Sequence, residues 1–227
     1  MSSELYPDDF LDAQMSFTMP TRKFMYERIG IQKSHRVLDL GCNRGSIMSE
    51  LKRYTDFVFG IDLDFESLER NPNRSSTANA SVLQIPFMDS TFDVVVDHYT
   101  LLWSGNYEVA INEIIRVLKA GGFFISIEPD YSGRIEGSLE YEPAEPKTKL
   151  PIVDALINAG ADPFIANKMI MYLRRKGIYM EFGVLSWNYN PSQMLFEIQS
   201  ERKMTKERIE KQFFTYTPTF WIIGKKL

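Results

Sequence analysis

VLDLGCNRG, residues 37–45, joins a short apolar run to a turn that contains two glycines. This order is typical of a buried strand that ends in a ligand-binding turn at the carboxyl edge of a parallel sheet. A dinucleotide-binding turn needs G-x-G-x-x-G, but Asn43 and Ser46 stand at the second and third glycine positions. The turn therefore favours a smaller ligand. Asn43 can keep the bend, because asparagine tolerates a positive φ better than any residue except glycine.

A carboxylate follows about 20 residues later, where FGIDLD, residues 59–64, ends a second apolar run. Asp62 stands where an acidic residue accepts hydrogen bonds from a pair of ribose hydroxyls. The unpaired N–H groups of the helix start after the turn favour a carboxylate. Together these features indicate a site for an adenosine that bears an amino acid. In the alternative interpretation Asp62 only caps the next helix, although Asp64 is the better capping candidate.

Strand-like and helix-like segments alternate over most of the chain. Short apolar segments predict strands at residues 37–39, 57–61, 92–96 and 123–127. Segments with helical periodicity lie between them, at residues 46–54, 65–70 and 107–119. This alternation predicts an α/β fold with parallel βαβ units, that is, a doubly wound, Rossmann-like sheet with helices on both faces.

Two regions interrupt the alternation. Residues 9–29 are rich in aromatic residues and methionine, which predicts a packed helical cover. Residues 128–149 are rich in Glu, Pro, Gly and Tyr, which predicts a long functional loop. Beyond it we expect helices at 150–158, 163–176 and 192–211 and strands at 178–187 and 219–223. The prediction is one domain over 1–227, with an N-terminal helical cover over 1–30 and a lid insertion over about 129–176.

Composition excludes several classes of function. The formal net charge of −4 disfavours a nucleic-acid partner, and the basic residues of 202–211 alternate with glutamates as on a solvated helix face. One cysteine, Cys42, and two histidines, His35 and His98, predict neither a disulfide nor a metal site. The chain has no signal-peptide pattern at its start and no apolar run of membrane-spanning length. We therefore expect a cytoplasmic protein without a membrane span. Its oligomeric state is left open.

The chain resembles the class I S-adenosylmethionine-dependent methyltransferases, particularly the ubiquinone/menaquinone-biosynthesis-type branch. Four motifs carry the resemblance in the family's order and near its spacing: VLDLGCNRG, FGIDLD, LQIPFMDSTFDVVVDHYTLLW and EIIRVLKAGGFFISIEPD. Weaker similarity continues to the last strand, so the resemblance covers most of the chain from about Val37. It implies a seven-stranded sheet whose last strand is antiparallel and lies between two parallel ones.

The resemblance also implies S-adenosyl-L-methionine as the cofactor of a methyl-transferring enzyme. Carried over by position, Asp39 and Gly41 would hold the amino-acid end of the cofactor. Asn43 and Gly45 would shape the turn.

The adenosine end of the cofactor would meet a second group of residues. Asp62 would take the ribose, and Leu63 would pack on the adenine. The family has an acidic residue and then alanine before its LPF motif, whereas this chain has Ser81 and Val82 before IPF, so the backbone of Val82 is the predicted adenine contact. Asp97, at the end of the fourth strand, lies where the family's backbone meets the methionyl part.

Methyl transfer to a hydroxyl, an amine or an acidic carbon also needs a base. His98 is the candidate, because unperturbed imidazole titrates near neutral pH; Asp97, Tyr99, Glu128 and Asp130 also stand at strand ends. In the alternative interpretation His98 only packs beside the cofactor.

The predicted acceptor is a small molecule. Aromatic residues and methionines of the cover and lid predict an apolar or aromatic acceptor, or else they form core: Phe10, Met15, Phe17, Tyr131, Tyr141, Met169, Met171 and Tyr172. DHYT after the fourth strand lacks the proline-rich turn of amine-methylating enzymes, which disfavours DNA and protein-amide acceptors.

Two other functions remain open at this point. A catalytically silent methyltransferase-fold scaffold or regulatory subunit would bind a protein partner, and Asn43 and Ser81 are the departures that permit it. Gly41, Gly45 and Asp62 oppose it. A nicotinamide-dependent oxidoreductase is disfavoured by the interrupted glycine pattern.

Overall fold

The computed structural model describes residues 8–138, 151–185 and 213–227. The helices described are α1 Asp8–Ile29, α2 Ser46–Leu51, α3 Phe65–Glu69, α4 Tyr107–Val117, α5 Pro151–Asn158 and α6 Ile165–Arg175. The strands described are β1 Arg36–Leu40, β2 Phe57–Asp62, β3 Thr77–Asn79, β4 Phe92–His98, β5 Leu118–Pro129, β6 Ile135–Ser138, β7 Tyr179–Val184, β8 Phe213–Tyr216 and β9 Thr219–Lys225. No described helix is both long and apolar enough to cross a membrane.

Seven of these strands form one sheet in the order β3-β2-β1-β4-β5-β9-β7. The first five strands of the sheet order are parallel, whereas β9 is antiparallel to both of its neighbours. This confirms the doubly wound sheet and the antiparallel last strand. The order reverses between β1 and β4, where Leu40 pairs with Asp97. Ligands of such sheets bind at this switch point, beyond the carboxyl ends of the strands.

The sheet has an apolar core on each face, because successive strand residues point to opposite sides. On β1, Val37 packs with Met25, Tyr26 and Met48 of α1 and α2. Its neighbour Leu38 belongs to the core on the other face, which α4 and α6 cover. The predicted helical cover is thus α1, a helix of 22 residues that packs on the sheet.

The region after β5 differs from the predicted helical lid. β5 extends to Pro129, and β6 pairs with the distant β8 in a separate two-stranded sheet. Helix α6 belongs to the core, because Ile165, Met169 and Leu173 lie on one buried face. The predicted helix at 192–211 and the end of the strand at 178–187 lie outside the described residues.

Candidate functional site

A cleft of about 480 Å³ opens at the carboxyl edge of the sheet, at the switch point. It is lined by the turn after β1, the ends of β2 and β4, residues 80–82 and the start of α1. Seven of the nine residues predicted for the site line it: Asp39, Gly41, Asn43, Asp62, Leu63, Val82 and His98. Gly45 and Asp97 do not.

Both glycines of the turn after β1 have a left-handed backbone and no room for a side chain. Gly41 has φ +65° and Gly45 has φ +82°. A Cβ on Gly41 would overlap the side chain of Thr100, and a Cβ on Gly45 would overlap that of Asn71. Gly45 therefore shapes the turn as the N-cap residue of α2, behind the cleft wall.

Asn43 and Asp62 tie this turn to the end of β2. Asn43 adopts φ +44°, the positive value that the sequence predicted, and its N–H donates to Oδ2 of Asp62 at 2.9 Å. The N–H of Asp64 donates to Oδ1 of Asp62 at 2.8 Å. A carboxylate offers about four acceptor sites, so capacity remains for ligand hydroxyls. The N-cap of α3 is Asp64, which accepts from the N–H of Ser67, so the capping interpretation of Asp62 is wrong.

Asp39 brings an unsatisfied carboxylate to the cleft. Its side chain is 1% exposed, and its Oδ2 has no hydrogen-bond partner among the described residues. Burial, and after it the neighbouring carboxylate of Asp62, holds the pKa of Asp39 well above its usual range. A buried acceptor without a partner is costly in a folded protein. A ligand with a cationic hydrogen-bond donor would satisfy this oxygen.

Asp97 is buried beneath the cleft, because the side chains of β4 alternate between the two faces and the residue at the cleft is His98. Its Oδ1 accepts from the N–H groups of Thr100 and Leu101 at 3.3 and 3.2 Å. Its Oδ2 accepts from the hydroxyl of Ser126 at 2.5 Å. The Asp97 carboxylate thus fixes the turn after β4 and does not line the cleft.

Glu128 forms a buried carboxyl pair with Asp97. Its Oε1 accepts from the N–H of Leu101 at 2.6 Å, while its Oε2 has no partner within the described part of the chain. Burial raises the pKa of Asp97 to about 7, and burial together with the charge of Asp97 raises the pKa of Glu128 well above its usual range. Two adjacent buried carboxylates do not both ionise, so the pair holds one proton between them.

Glu128→Gln is expected to reduce the pH dependence of stability. The native pKa values of the pair are raised, so the folded protein binds more protons than the unfolded chain and loses stability as pH rises from about 4 through 7. An amide cannot ionise but can donate. We expect the loss of unfolding free energy between pH 5.5 and 8.5 to shrink by about 1 kcal/mol or more. Urea denaturation of both proteins measures this, and an unchanged loss would contradict the shared proton.

His98 lines the cleft at the end of β4. Its Nε2 lies 2.8 Å from Oγ1 of Thr18 on α1. Burial and the adjacent Arg22 lower the pKa of His98 well below its usual value, so the ring is neutral at pH 7. Among the other predicted bases, Tyr99 lines the cleft, whereas Glu128 and Asp130 do not.

Several cleft residues were not predicted from the sequence. Gln14 of α1, with the predicted Met15, and Trp103, after β4, form part of the wall. Of the methionines and aromatic residues predicted for an acceptor pocket, Met169 is core and Met171 is 56% exposed. Tyr141 lies outside the described residues. The sequence signal for this part of the cleft wall is the aromatic residues that follow β4, Tyr99 and Trp103.

No group of three or more His, Cys, Asp or Glu residues in the described ranges could hold a metal ion. The residues that line the cleft instead offer carboxylates, an imidazole and aromatic rings to an organic ligand.

Part of the chain is similar to known methyltransferases. Residues 38–126 match a family of methyltransferase domains. A demethylmenaquinone methyltransferase of Staphylococcus aureus is 29% identical over 116 residues, which are 47% of this chain and 48% of the relative. The chain thus spans about half the length of the curated relatives it matches.

Solved structures share the fold. In a complex of the Haloferax volcanii Trm112 methyltransferase activator with a putative methyltransferase, the similar chain has a TM-score of 0.65 and 15% identity, over 96% of this chain and 94% of that one. A geranyl diphosphate C-methyltransferase from Streptomyces coelicolor, in complex with Mg²⁺, geranyl diphosphate and S-adenosyl-L-homocysteine, has a TM-score of 0.65 and 12% identity. That match covers 92% of this chain and 77% of the other.

Proposed function

We propose that this chain is a class I S-adenosylmethionine-dependent methyltransferase that binds S-adenosyl-L-methionine in the cleft and transfers the methyl group to a small molecule, since residues 38–126 match a family of methyltransferase domains. The observation that carries the proposal is Oδ2 of buried Asp39 in the cleft wall, which has no hydrogen-bond partner in the part of the chain that the structure describes. The α-ammonium group of the cofactor is a cationic donor that would pair with this oxygen. The residues present therefore fit the cofactor.

The remaining cofactor contacts follow the order of the strands. Asp62, already oriented by two backbone N–H groups, would accept the ribose hydroxyls. Leu63 is 70% exposed and would lose its contact with water by packing on the adenine. Val82 would meet the edge of the adenine through its backbone. Gly41, Asn43 and Gly45 would hold the turn open for the methionyl part.

The charge of the cleft supports a cationic ligand. Three aspartates and one arginine line it, namely Asp39, Asp62, Asp64 and Arg44. The sulfonium and ammonium groups of S-adenosylmethionine suit this negative balance, whereas a dinucleotide would bring a negatively charged pyrophosphate. This argues against the nicotinamide-dependent alternative.

Bound S-adenosylmethionine supplies an activated methyl group. This chain's own residues would align the acceptor and exclude water. Met15, Tyr99 and Trp103 give the cleft an apolar and aromatic wall, which supports an apolar or aromatic acceptor. A relative named for demethylmenaquinone is consistent with that class. His98, neutral at pH 7, would take the proton that the acceptor loses.

His98→Asn is expected to slow methyl transfer by about 10²–10⁴-fold, with the affinity for S-adenosylmethionine almost unchanged. Asparagine keeps a polar side chain of similar size but cannot accept a proton at neutral pH. Transfer of radiolabelled methyl groups to demethylmenaquinone, a phenol and an aniline measures the rate, and calorimetry measures the affinity. A fully active variant would refute the base assignment.

The second candidate function is a scaffold or regulatory subunit that binds a protein partner. Edge strand β7 supports it, because it pairs only with β9 within the described residues and exposes Tyr179, Phe182 and Val184. A scaffold of this kind would bind no S-adenosylmethionine.

The cytoplasmic location inferred from composition stays a prediction.

A further inference from the structure

The hydroxyl group of Thr18 on α1 has three hydrogen-bond partners. Its Oγ1 lies 2.7 Å from the carbonyl oxygen of Gln14 and 2.8 Å from Nε2 of His98. The third partner is Nη1 of Arg22. Thr18 is fully buried, so water does not complete or replace these contacts.

These three contacts fix where the protons lie. A hydroxyl has one proton to donate and two lone pairs that accept. The carbonyl of Gln14 can only accept, so it takes the hydroxyl proton. Arg22 can only donate, so it takes one lone pair. The remaining lone pair faces Nε2 of His98, which must therefore carry a hydrogen.

We infer that Thr18 and Arg22 act as positioning residues that hold His98 in the Nε2–H tautomer, leaving Nδ1 as the ring atom that accepts a proton. Nδ1 has no hydrogen-bond partner among the residues that the structure describes. The tautomer follows from the contacts of the Thr18 hydroxyl, which lies closer to Nε2 than Nη1 of Arg22 does, at 2.8 Å against 3.4 Å. Only the use of Nδ1 in methyl transfer rests on the proposed function.

Arg22 cannot turn away from Thr18, because Glu50 holds the other side of its guanidinium. Nε and Nη2 of Arg22 donate to the two carboxylate oxygens of Glu50 at 3.1 and 2.8 Å. Nη2 also donates to the carbonyl oxygen of Met15 at 3.0 Å. The side chains of Arg22 and Glu50 are only 3% and 10% exposed, which makes this bidentate pair rigid.

The position of α1 is therefore coupled to the state of the His98 ring. Gln14 and Met15 of α1 line the cleft, and the next turns of the helix carry Thr18 and Arg22. The ion pair between Arg22 and Glu50 anchors α1 to α2, which begins directly after Gly45. Docking of α1 would thus close the cleft and set the tautomer of its base in one step.

Imidazole nitrogen NMR on the ¹⁵N-labelled full chain tests the inference without any ligand. The chain has only two histidines, and His98→Asn assigns their signals. We expect a neutral His98 with a protonated Nε2 and an unprotonated Nδ1. A protonated Nδ1 in the wild type would overturn the inference, whatever the protein catalyses.

Thr18→Val and Thr18→Ser form the matched pair of variants. Valine has the shape of threonine but no hydroxyl, so Arg22, whose Nη1 lies 3.4 Å from Nε2, becomes the donor that remains near the ring. His98 should then shift toward the Nδ1–H tautomer, whereas Thr18→Ser should keep the wild-type spectrum. An unchanged spectrum in Thr18→Val would contradict the role of Thr18.

The same pair tests the link to methyl transfer. We expect Thr18→Val to lower kcat by about tenfold or more, with KM for S-adenosylmethionine unchanged, and Thr18→Ser to retain most of the rate. Equal kcat in Thr18→Val and wild type would refute the positioning role. If wild type transfers no methyl group, the proposed function fails, and the nitrogen spectra still decide the tautomer.

Discussion

Asp39→Asn is expected to weaken S-adenosylmethionine binding by about 30-fold or more and to stabilise the ligand-free protein. Removing one member of a buried, hydrogen-bonded charge pair costs about 2–5 kcal/mol of binding free energy, and each 1.4 kcal/mol is about tenfold in affinity. Asparagine keeps the shape of the side chain but loses the charge that would hold the ammonium group. Calorimetric titration measures the affinity of both proteins.

Asp39→Asn should stabilise the ligand-free protein although it weakens binding, because Oδ2 of the buried wild-type carboxylate has no partner among the described residues. Such a group costs about 1–3 kcal/mol. The raised pKa of Asp39 means that the folded state loses stability as pH rises above the unfolded pKa of about 4. Asparagine removes this loss, so the thermal midpoint should rise by about 2–4 °C per kcal/mol, and more at pH 8 than at pH 5.

Asp93→Asn is the matched control for this experiment. Asp93 lies at the other end of the sheet, where its oxygens accept from Lys119 at 2.8 Å and from the N–H of Arg36 at 2.8 Å. These contacts lower the pKa of Asp93 despite partial burial. Its variant should lose stability and keep cofactor affinity. If Asp39→Asn behaved in the same way, Asp39 would be a structural residue and not a cofactor ligand.

Gly45→Ala is expected to destabilise the protein by well over 2 kcal/mol and to reduce cofactor affinity at least about tenfold. A left-handed backbone alone costs a residue with a Cβ about 1–2 kcal/mol. The new Cβ would also overlap Asn71, which is 3% exposed. Asn71 cannot move freely, since its Nδ2 donates to the carbonyl of Asn43 and its Oδ1 accepts from the N–H of Asn73. The displaced Asn71 would distort the cofactor turn.

Gly121→Ala is the control that measures the cost of a left-handed backbone without any overlap of the new Cβ with a neighbour. Gly121 has φ +78°, close to the +82° of Gly45, and nothing lies within 4 Å of a Cβ built on it. Its variant should lose only the backbone cost and bind the cofactor normally. Urea denaturation and titration of both variants make the comparison. Equal losses in the two would show that the contact with Asn71 does not hold the turn.

The sequence predicted those parts of the site that are encoded locally. Asp62 and the turn that ends the motif at 37–45 belong to short motifs in which residue type and spacing indicate the local geometry. Both lie at the cleft. His98 lines the cleft as predicted, but the burial of Asp97 away from it was not predictable, because the face to which a strand residue points depends on the strand's register in the sheet. A shift of one residue reverses the face.

The rest of the site depends on contacts between distant parts of the chain. Thr18 meets His98 across 80 residues, and Arg22 meets Glu50 across 28. Nothing in the local pattern of α1 distinguishes these two residues from other polar positions of a helix. The pairing of β6 with β8 escaped prediction for the same reason, since the two strands lie far apart in the sequence.

Every role proposed for the cleft residues depends on the binding of S-adenosylmethionine in the cleft. The most direct test is calorimetric titration of the full chain with S-adenosylmethionine, S-adenosylhomocysteine and NAD in parallel. We predict binding of the first two in the micromolar range and no binding of NAD. Absence of S-adenosylmethionine binding, or a preference for NAD, would show that the cleft serves another ligand.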